Sequence, residues 1–468
     1  MKNTTTASHE ASHQTVPLKV ETAHGSKSIQ MAFTDQRVTP HGGLALMSSF
    51  WQKLGWRKEL AAALPQRPSS PNAYAPVDIA LGFMGGVLAG ADKFSRVGQL
   101  CADPALPQIL GLEAVPSQPT LTRFFAGFSQ RANESFAGLH RFLARKLPSE
   151  KEGYTLDLDS LAILHEEGHQ EGVRPGYTAR GLKPGHHPLL AALAEPKLVS
   201  NFWLRSGDTV SASNVVNFVA QTLRHLPAQV RVALVRADAG FYCLQLLEEL
   251  ERRRIDYIVV AKLRQNLQSL CRHTEAAWTA TEVPGLEVQE VDAARVHGVG
   301  GRRLIIIRHR IRQRPSAGGK TLLEVPGYRF QAFCTSLPRS WSPLRVWRRY
   351  NGRADIENRI KELSAQFGLR SFCCRSFWGT EAACHLAILA YNLCVLFQRQ
   401  LGLLKKVELS TLRFRLFTRA AVFSCKAGRD TLKFAIPKAQ RAWWGEVLEK
   451  LRSELPPFNC NSVEGMPA

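Results

Sequence analysis

The chain has 468 residues and a formal net charge of +22, because 61 lysines and arginines outnumber 39 aspartates and glutamates. A chain of this length holds two or three domains with ample core. Binding small metabolites does not require such an excess of positive charge, which favours a polyanionic partner, most simply nucleic acid. The 10 cysteines include no CxxC pair, which disfavours a zinc finger and fits reduced thiols in a cytoplasm.

The first 150 residues divide into two parts. Residues 1–40 are rich in Thr, Ser, His and Lys and predict a flexible leader without the apolar stretch of a signal peptide. Residues 41–150 follow a helical pattern broken by proline loops, and Ser117 or Thr120 suits the cap of a helix beginning near Leu121. We predict a helical DNA-binding domain here, with an ordinary amphipathic bundle as the alternative.

Strand patterns begin at Tyr154. Residues 151–265 follow the order β-β-β-α-β-α-β, which predicts a mixed sheet with helices on its faces. Strand-like segments between Gly and Pro turns in residues 266–345 predict a β-rich insertion. Residues 346–400 return to helices, and Ala382–Phe397 predicts a buried helix because this apolar run is too short to span a membrane.

The last segment, residues 401–468, is predicted to be a basic helical tail. Its cations are Lys405, Lys406, Arg413, Arg415, Arg419, Lys426 and Arg429. The predicted fold class is therefore α/β: a mixed-sheet core with a β-rich insertion, a helical N-terminal domain and a helical C-terminal tail. No segment predicts association with a membrane.

Three acidic residues are predicted to lie near the carboxyl ends of the strands, where ligands bind in an open sheet. Asp159 lies in the first predicted strand, Asp238 ends the fourth, and Glu357 lies on a later helix. Carboxylates brought together in this way suit Mg²⁺, and two such ions can clamp both oxygens of a phosphoryl displacement. Asp157 shares a strand face with Asp159 and remains the alternative.

The stretch Tyr350–Leu363 predicts one helix. In it Arg353, Glu357 and Lys361 stack four residues apart on one face, with Tyr350 about one turn further back. A carboxylate flanked by cations one turn away on either side is held ionised. A ladder of surface salt bridges is the alternative interpretation.

Three sequence blocks, LDLDS, VRADAGF and YNGRADIENRIKEL, resemble the acidic blocks of the DDE transposases of bacterial insertion sequences. The resemblance is closest to the IS1380 family of the wider IS4 group and covers roughly Tyr154–Phe397. It implies an RNase H-like core and an enzyme that cuts and joins DNA with Mg²⁺, for which Mn²⁺ can substitute. It also implies terminal inverted repeats and target DNA as partners, a homodimer on DNA, and a bacterial, nucleoid-associated cytoplasmic location.

The resemblance implies roles for individual residues. Asp159, Asp238 and Glu357 match the metal-binding triad of the family. The family's first aspartate is followed by a small hydroxyl residue, here Ser160, which favours Asp159 over Asp157.

The signature around the family's glutamate is matched in part. Tyr350 and Arg353 match its tyrosine and arginine. Its lysine is expected seven residues after the glutamate, where this chain has Ser364, so Lys361 is the candidate replacement. Arg353 and Lys361 would then hold phosphate oxygens.

Some relatives hold a flipped base on an aromatic side chain of the insertion. The candidates here are Trp278, Trp341 and Trp347, for which ordinary packing is the alternative.

Two other functions compete with the transposase interpretation. HEEGHQEG, residues 165–172, fits the opening of a zinc-protease motif. Two glycines are unfavourable inside a helix, and Pro175 stands where the third histidine is expected. A catalytically inactive DNA-binding protein with the same fold is the second alternative.

Overall fold

The computed structural model describes residues 16–65, 73–165, 168–178, 181–262, 265–273, 278–291, 300–310, 327–403 and 406–454. Across these residues the largest sheet has nine strands, and most of the helices precede or cover it.

The first elements are strands. β1 (Val16–Thr22) and β2 (Gly25–Met31) form an antiparallel hairpin, and β3 (Arg37–Thr39) follows. The leader predicted for residues 1–40 is therefore corrected for this part of the segment, which has regular structure. Apolar and polar residues alternate along β1, a strand period that the polar composition of the segment concealed.

Helices occupy the next segment, as the punctuated pattern of residues 41–150 predicts. They are α1 (Leu44–Leu54), α2 (Trp56–Ala63), α3 (Pro76–Ala89), α4 (Phe94–Gln99), α5 (Leu106–Leu110), α6 (Gln118–Ala126), α7 (Gln130–Glu134) and α8 (Phe136–Ala144). The cap of α6 is Ser117, whose hydroxyl accepts the backbone N–H of Thr120 at 3.4 Å.

The central sheet begins next. Its strands and those of a small accessory sheet are β4 (Tyr154–Ser160), β5 (Ile163–Leu164), β6 (Arg174–Thr178), β7 (Gly181–His186), β8 (Leu189–Leu193), β9 (Leu198–Trp203), β10 (Val232–Ala237) and β11 (Asp256–Val260). Helices α9 (Val215–His225) and α10 (Leu244–Arg252) precede β10 and β11. The accessory sheet, in the order β5-β7-β6, was not predicted.

The strand order of this core is β9-β8-β4-β10-β11. β8 runs antiparallel to both of its neighbours, whereas β4, β10 and β11 are parallel. This topology is RNase H-like, so the predicted mixed-sheet α/β core and its β-β-β-α-β-α-β order are confirmed. The carboxyl ends of β4 and β10 lie side by side at one edge of the sheet.

The predicted β-rich insertion extends the same sheet. After α11 (Gln265–His273) come β12 (Thr279–Ala280), β13 (Leu286–Val291), β14 (Arg303–Arg310) and β15 (Tyr328–Thr335). β15 pairs antiparallel with β11, and the order continues as β15-β14-β13-β12. The strands are confirmed, but their continuity with the core was not foreseen.

Three helices follow, α12 (Pro343–Asn351), α13 (Ala354–Gln366) and α14 (Phe377–Gln400). The single helix predicted for Tyr350–Leu363 is therefore wrong, because the chain leaves α12 at Gly352 before α13 begins. Glycine lacks a Cβ and is unfavourable in a helix interior.

α14 has the length and apolar composition of a membrane-spanning helix, but its apolar window is fully buried within the protein. The predicted buried helix is confirmed.

Glu381 of α14 is buried where the helical region meets the central sheet. Its Oε1 accepts the backbone N–H of Leu204, just after β9, at 2.9 Å, and its Oε2 accepts Nδ2 of Asn133 in α7 at 2.8 Å. Burial raises the pKa of Glu381 from 4.5 to about 7, because desolvation of the carboxylate outweighs both hydrogen bonds.

We expect Glu381 to make folding pH-dependent. The folded protein keeps a proton that the unfolded chain releases between pH 4.5 and about 7, so the free energy of unfolding falls as pH rises through this window. The loss is roughly 3 kcal/mol at about 1.4 kcal/mol per pKa unit. Urea denaturation of wild type and Glu381→Gln at about pH 5 and about pH 8 measures it. At the higher pH the stability of Glu381→Gln relative to wild type should be greater than at the lower pH. A difference in the free energy of unfolding that does not change with pH would contradict the expectation.

The C-terminal region is only partly helical. α15 (Leu409–Leu412) and a π-helical turn lead into the hairpin β16 (Ala421–Lys426) and β17 (Arg429–Phe434), and α16 (Arg441–Arg452) ends the described chain. The predicted helical tail is thus corrected. Between the strands, residues 427 and 428 have φ values of +50° and +72°, the backbone of a two-residue hairpin turn. β16 also pairs with β3 from the other end of the chain.

Candidate active site

Two aspartates lie side by side at the carboxyl edge of the central sheet. Leu158 of β4 pairs with Ala237 of β10, so Asp159 and Asp238 are the next residues on adjacent parallel strands. Such strands lie about 4.8 Å apart. The backbone N–H of Ser160 donates to Asp159 Oδ1 at 2.8 Å, which holds this carboxylate at the edge of the sheet.

Asp238 also caps the turn that follows β10. Its Oδ1 accepts the backbone N–H of Gly240 at 2.8 Å, which fixes the carboxylate at the edge of the sheet. The two aspartates are therefore held in the same way, each by one backbone N–H close to it in sequence. Capping and proximity to Asp159 therefore occur together at Asp238.

Arg353, which immediately precedes α13, brings the three predicted carboxylates together. Its Nη2 lies 3.2 Å from Asp159 Oδ1 and 3.9 Å from Asp238 Oδ2, and its Nη1 lies 3.7 Å from Glu357 Oε1. Arg353 is only 4% exposed, and its Nη2 also donates to the carbonyl of Leu158 at 3.0 Å. Within the described part of the chain, its buried Nε–H has no hydrogen-bond partner.

Tyr350 and Lys361 are placed less centrally. Tyr350 belongs to α12, where its ring packs 4.8 Å from that of Phe333, and burial raises its pKa to about 12. Its hydroxyl therefore stays protonated at neutral pH. Lys361 is exposed on α13, one turn after Glu357.

Asp157 has a different partner from Asp159. Arg236 of β10 donates to both of its oxygens, from Nε at 2.6 Å and from Nη2 at 2.8 Å. Asp157 is fully buried, so this bidentate pair is shielded from water. With both oxygens engaged, Asp157 is part of the sheet core, and the choice of Asp159 over Asp157 gains a physical reason.

The site concentrates negative charge around one cation. Burial raises the pKa of Asp159 to about 6, and Asp238 and Glu357 act in the same direction, while Arg353 and the N–H of Ser160 oppose it. Among the residues that the structure describes, no three His, Cys, Asp or Glu side chains are grouped closely enough to hold a metal ion as they stand. The guanidinium lies where the three carboxylates converge.

A hydrogen-bond chain beside the aspartates was missed by sequence reasoning. Nδ1 of His187 lies 2.6 Å from the carbonyl of Thr209, so this nitrogen carries a proton, and Nε2 lies 3.2 Å from Ser160 Oγ. Ser160 Oγ in turn lies 2.9 Å from Ser211 Oγ. These hydrogen bonds connect Ser160, the residue after Asp159, to the loop that contains Thr209 and Ser211. Its only sequence signal is the pair of histidines before β8.

The zinc-protease motif is not supported by the residues that the structure describes. His165 is buried and its Nε2 lies 3.1 Å from Nδ1 of His186, while His169 lies in a segment without helical structure. The two glutamates at positions 166 and 167 lie outside the described residues. His165 and His169 are therefore not spaced one helical turn apart on a helix, as the motif requires.

The three tryptophans proposed as base-holding residues each contact neighbouring groups. The guanidinium of Arg308 lies 4.4 Å from the ring of Trp278, and that of Arg345 lies 3.8 Å from the ring of Trp341. Trp347 is half-buried in the small hydrophobic cluster beneath α12. These contacts agree with packing roles, and base binding remains an untested prediction.

Comparison with known proteins gives the family of this chain. No curated protein matches the sequence. A cryo-EM structure of a piggyBac transposase synaptic complex with hairpin DNA aligns over 92% of this chain and 91% of its own, with 12% sequence identity and a TM-score of 0.36. The family model described as Transposase DDE domain group 1 matches residues 21–455, nearly the whole sequence. The chain therefore belongs to the transposase DDE domain family, group 1.

Proposed function

We propose that this protein is the DNA transposase of an insertion sequence of the IS1380 type, which cuts the ends of its element and joins them to target DNA. The observation that carries the proposal is the convergence of Asp159, Asp238 and Glu357 on Arg353 at the carboxyl edge of an RNase H-like sheet. Membership of the transposase family supports the same reaction class.

The carboxylates fit a hard divalent cation. Oxygen atoms are the ligands of Mg²⁺ and Mn²⁺, and a few carboxylates completed by substrate phosphates are the usual Mg²⁺ site. Asp159, Asp238 and Glu357 would hold the metal, for which Arg353 must first release them. When bound, the metal supplies an activated water and stabilises the charge that develops on phosphate oxygens.

The protein's own groups would position the DNA. Glu357 is the most accessible of the three carboxylates, with 58% of its side chain exposed. Arg353 has an unpartnered buried N–H, and a guanidinium that leaves the carboxylates is suited to a phosphate oxygen. Lys361 is exposed one turn further along α13, within the same helical face, and would contact the DNA backbone. Tyr350 packs against Phe333 and would present to the site a hydroxyl that stays protonated at neutral pH.

The partners of this reaction are the terminal inverted repeats of the element and the target duplex. The net charge of +22 supports binding of such polyanions. Because two element ends must be joined in one event, we propose a homodimer in the DNA complex. Since both partners are chromosomal DNA, we expect the protein to lie with the bacterial nucleoid in the cytoplasm.

Removal of the metal tests the proposal. Supercoiled plasmid carrying the gene and its flanking DNA should be cut at the element ends in Mg²⁺ or Mn²⁺ and should stay intact in EDTA. o-Phenanthroline, which removes zinc, should leave cutting unchanged while Mg²⁺ is present. Gel analysis and sequencing of the broken ends provide the measurement.

The same assay separates the rival functions. End binding without cutting in either metal would favour an inactive DNA-binding protein. Inhibition by o-phenanthroline in the presence of Mg²⁺ would contradict the magnesium assignment and return attention to zinc.

A further inference from the structure

Two cations of the C-terminal region are engaged within the protein. Lys406 pairs with buried Glu362, and Arg413 donates to the carbonyls of Val87 and Leu88 at the end of α3. These two cations hold the C-terminal region against the helices and are not available to a ligand. Three other cations of this region, Lys426, Arg429 and Lys433, lie on the hairpin β16–β17.

One face of this hairpin is basic and open. Directly paired residues of antiparallel strands point to the same side, and the pairs on this face are Val422 with Lys433, Ser424 with Thr431, and Lys426 with Arg429. We call Ser424, Lys426, Arg429, Thr431 and Lys433 the basic ribbon. Its three cations are exposed and form no ion pair with any residue of the described part of the chain.

The opposite face of the hairpin explains why the ribbon is fixed in place. Phe423, Leu432 and Phe434 point the other way and pack against the main hydrophobic core. The nearby acid, Asp430, pairs in register with Cys425 and so also points away from the ribbon. The ribbon therefore carries hydroxyls and cations without a neutralising carboxylate, on a support that is anchored from behind.

The placement of these charges has a cost that the chain itself does not offset. Lys426 and Arg429 are directly opposite, with Cβ atoms about 5 Å apart, and like charges in such a pair destabilise a sheet. Lys433 lies four residues beyond Arg429, or about 13 Å along the strand. A row of regularly spaced anions along this face would relieve the repulsion, and duplex DNA offers one on its phosphate backbone.

We propose that the basic ribbon binds the phosphate backbone of duplex DNA at a surface separate from the carboxylates that cut it. The inference rests on the proposed function, since it adds a second DNA contact to a transposase. Lys426, Arg429 and Lys433 neutralise phosphates, and the hydroxyl of Thr431 donates to a phosphate oxygen. The ribbon contributes affinity and position without reading sequence.

The test removes the three charges together, as Lys426→Gln, Arg429→Gln and Lys433→Gln. A matched variant, Lys58→Gln, Lys151→Gln and Lys450→Gln, removes three exposed cations elsewhere. The two triple variants therefore have the same net charge as each other. Fluorescence anisotropy with a labelled duplex of about three helical turns gives Kd over a range of salt concentrations.

We expect the ribbon variant to bind the duplex at least about tenfold more weakly than the matched variant at low salt. Its slope of log K against log salt should be shallower by up to about 2.7, at about 0.9 per lost phosphate contact. The maximal cutting rate at saturating DNA should be unchanged. Because a like-charge pair is removed, the melting temperature should stay the same or rise.

Each outcome bears on the ribbon separately from the proposed function. Equal affinities and slopes for the two variants overturn the ribbon even if the wild type cuts DNA. If the ribbon variant binds DNA more weakly, but the wild type binds DNA without ever cutting it, the ribbon is supported and the transposase assignment is wrong. If the ribbon variant is unstable, the single variant Lys433→Gln is compared with Lys58→Gln instead: weaker duplex binding by Lys433→Gln is expected, and equal affinities overturn the ribbon.

Discussion

Asp159→Asn is expected to abolish DNA cutting while DNA binding and the fold are retained. The substitution keeps the size of the side chain but removes one of the three negative charges that converge on Arg353. Several kcal/mol of transition-state stabilisation depend on such a ligand, so the cutting rate should fall by about a thousandfold or more. Single-turnover cleavage of end-containing DNA at saturating protein measures the effect.

The stability of the same variant provides its control. Burial raises the pKa of Asp159 to about 6, so its charged form is costly in the folded protein, and replacing it should not lower the free energy of unfolding. Asp238 and Glu357 remain to pair with Arg353. If Asp159→Asn cuts DNA at the wild-type rate, the assignment of Asp159 to the active site is wrong.

Asp157→Asn is expected to have the opposite effect, with a large loss of stability. Arg236 is buried and donates to both oxygens of Asp157, so the uncharged amide leaves a buried guanidinium poorly paired. Breaking one side of a buried ion pair costs about 3–5 kcal/mol. Urea denaturation should show this loss in the free energy of unfolding, against a small change for Asp159→Asn.

A second substitution distinguishes the ion pair from general disruption of β4. When Arg236→Met is added to Asp157→Asn, no buried charge is left without a partner, and part of the lost stability should return. If the double variant loses as much stability relative to wild type as the two single variants lose together, the two residues do not act as a pair.

Local patterns predicted most of the core. The alternating and continuous apolar runs after Tyr154 gave the strand and helix order, and the resemblance supplied Asp159, Asp238 and Glu357 with their roles. The alternation placed Asp157 and Asp159 on one face but gave no physical ground for choosing between them. That choice depends on Arg236, a residue 79 positions away from Asp157 whose guanidinium takes both of its oxygens.

The features that were missed depend on partners distant in the chain. β3 and β16 pair across nearly the full length of the sequence, and no short window contains both. The hairpin turn after β16 needed two residues with positive φ, of which only Gly428 is an obvious signal. The helix break before α13 had a similar signal in Gly352, which the regular four-residue spacing of Arg353, Glu357 and Lys361 concealed.

The pairing of β11 with β15 determines how relatives of this protein can be recombined. An engineer who excised the segment from 266 to 345 as a cassette would uncover the backbone N–H and C=O groups of β11, and exposed edges of this kind join other chains. Chimaeras should instead exchange the hairpins beyond β15 and keep that strand with its host sheet. The segment is a continuation of the catalytic scaffold and not a detachable module.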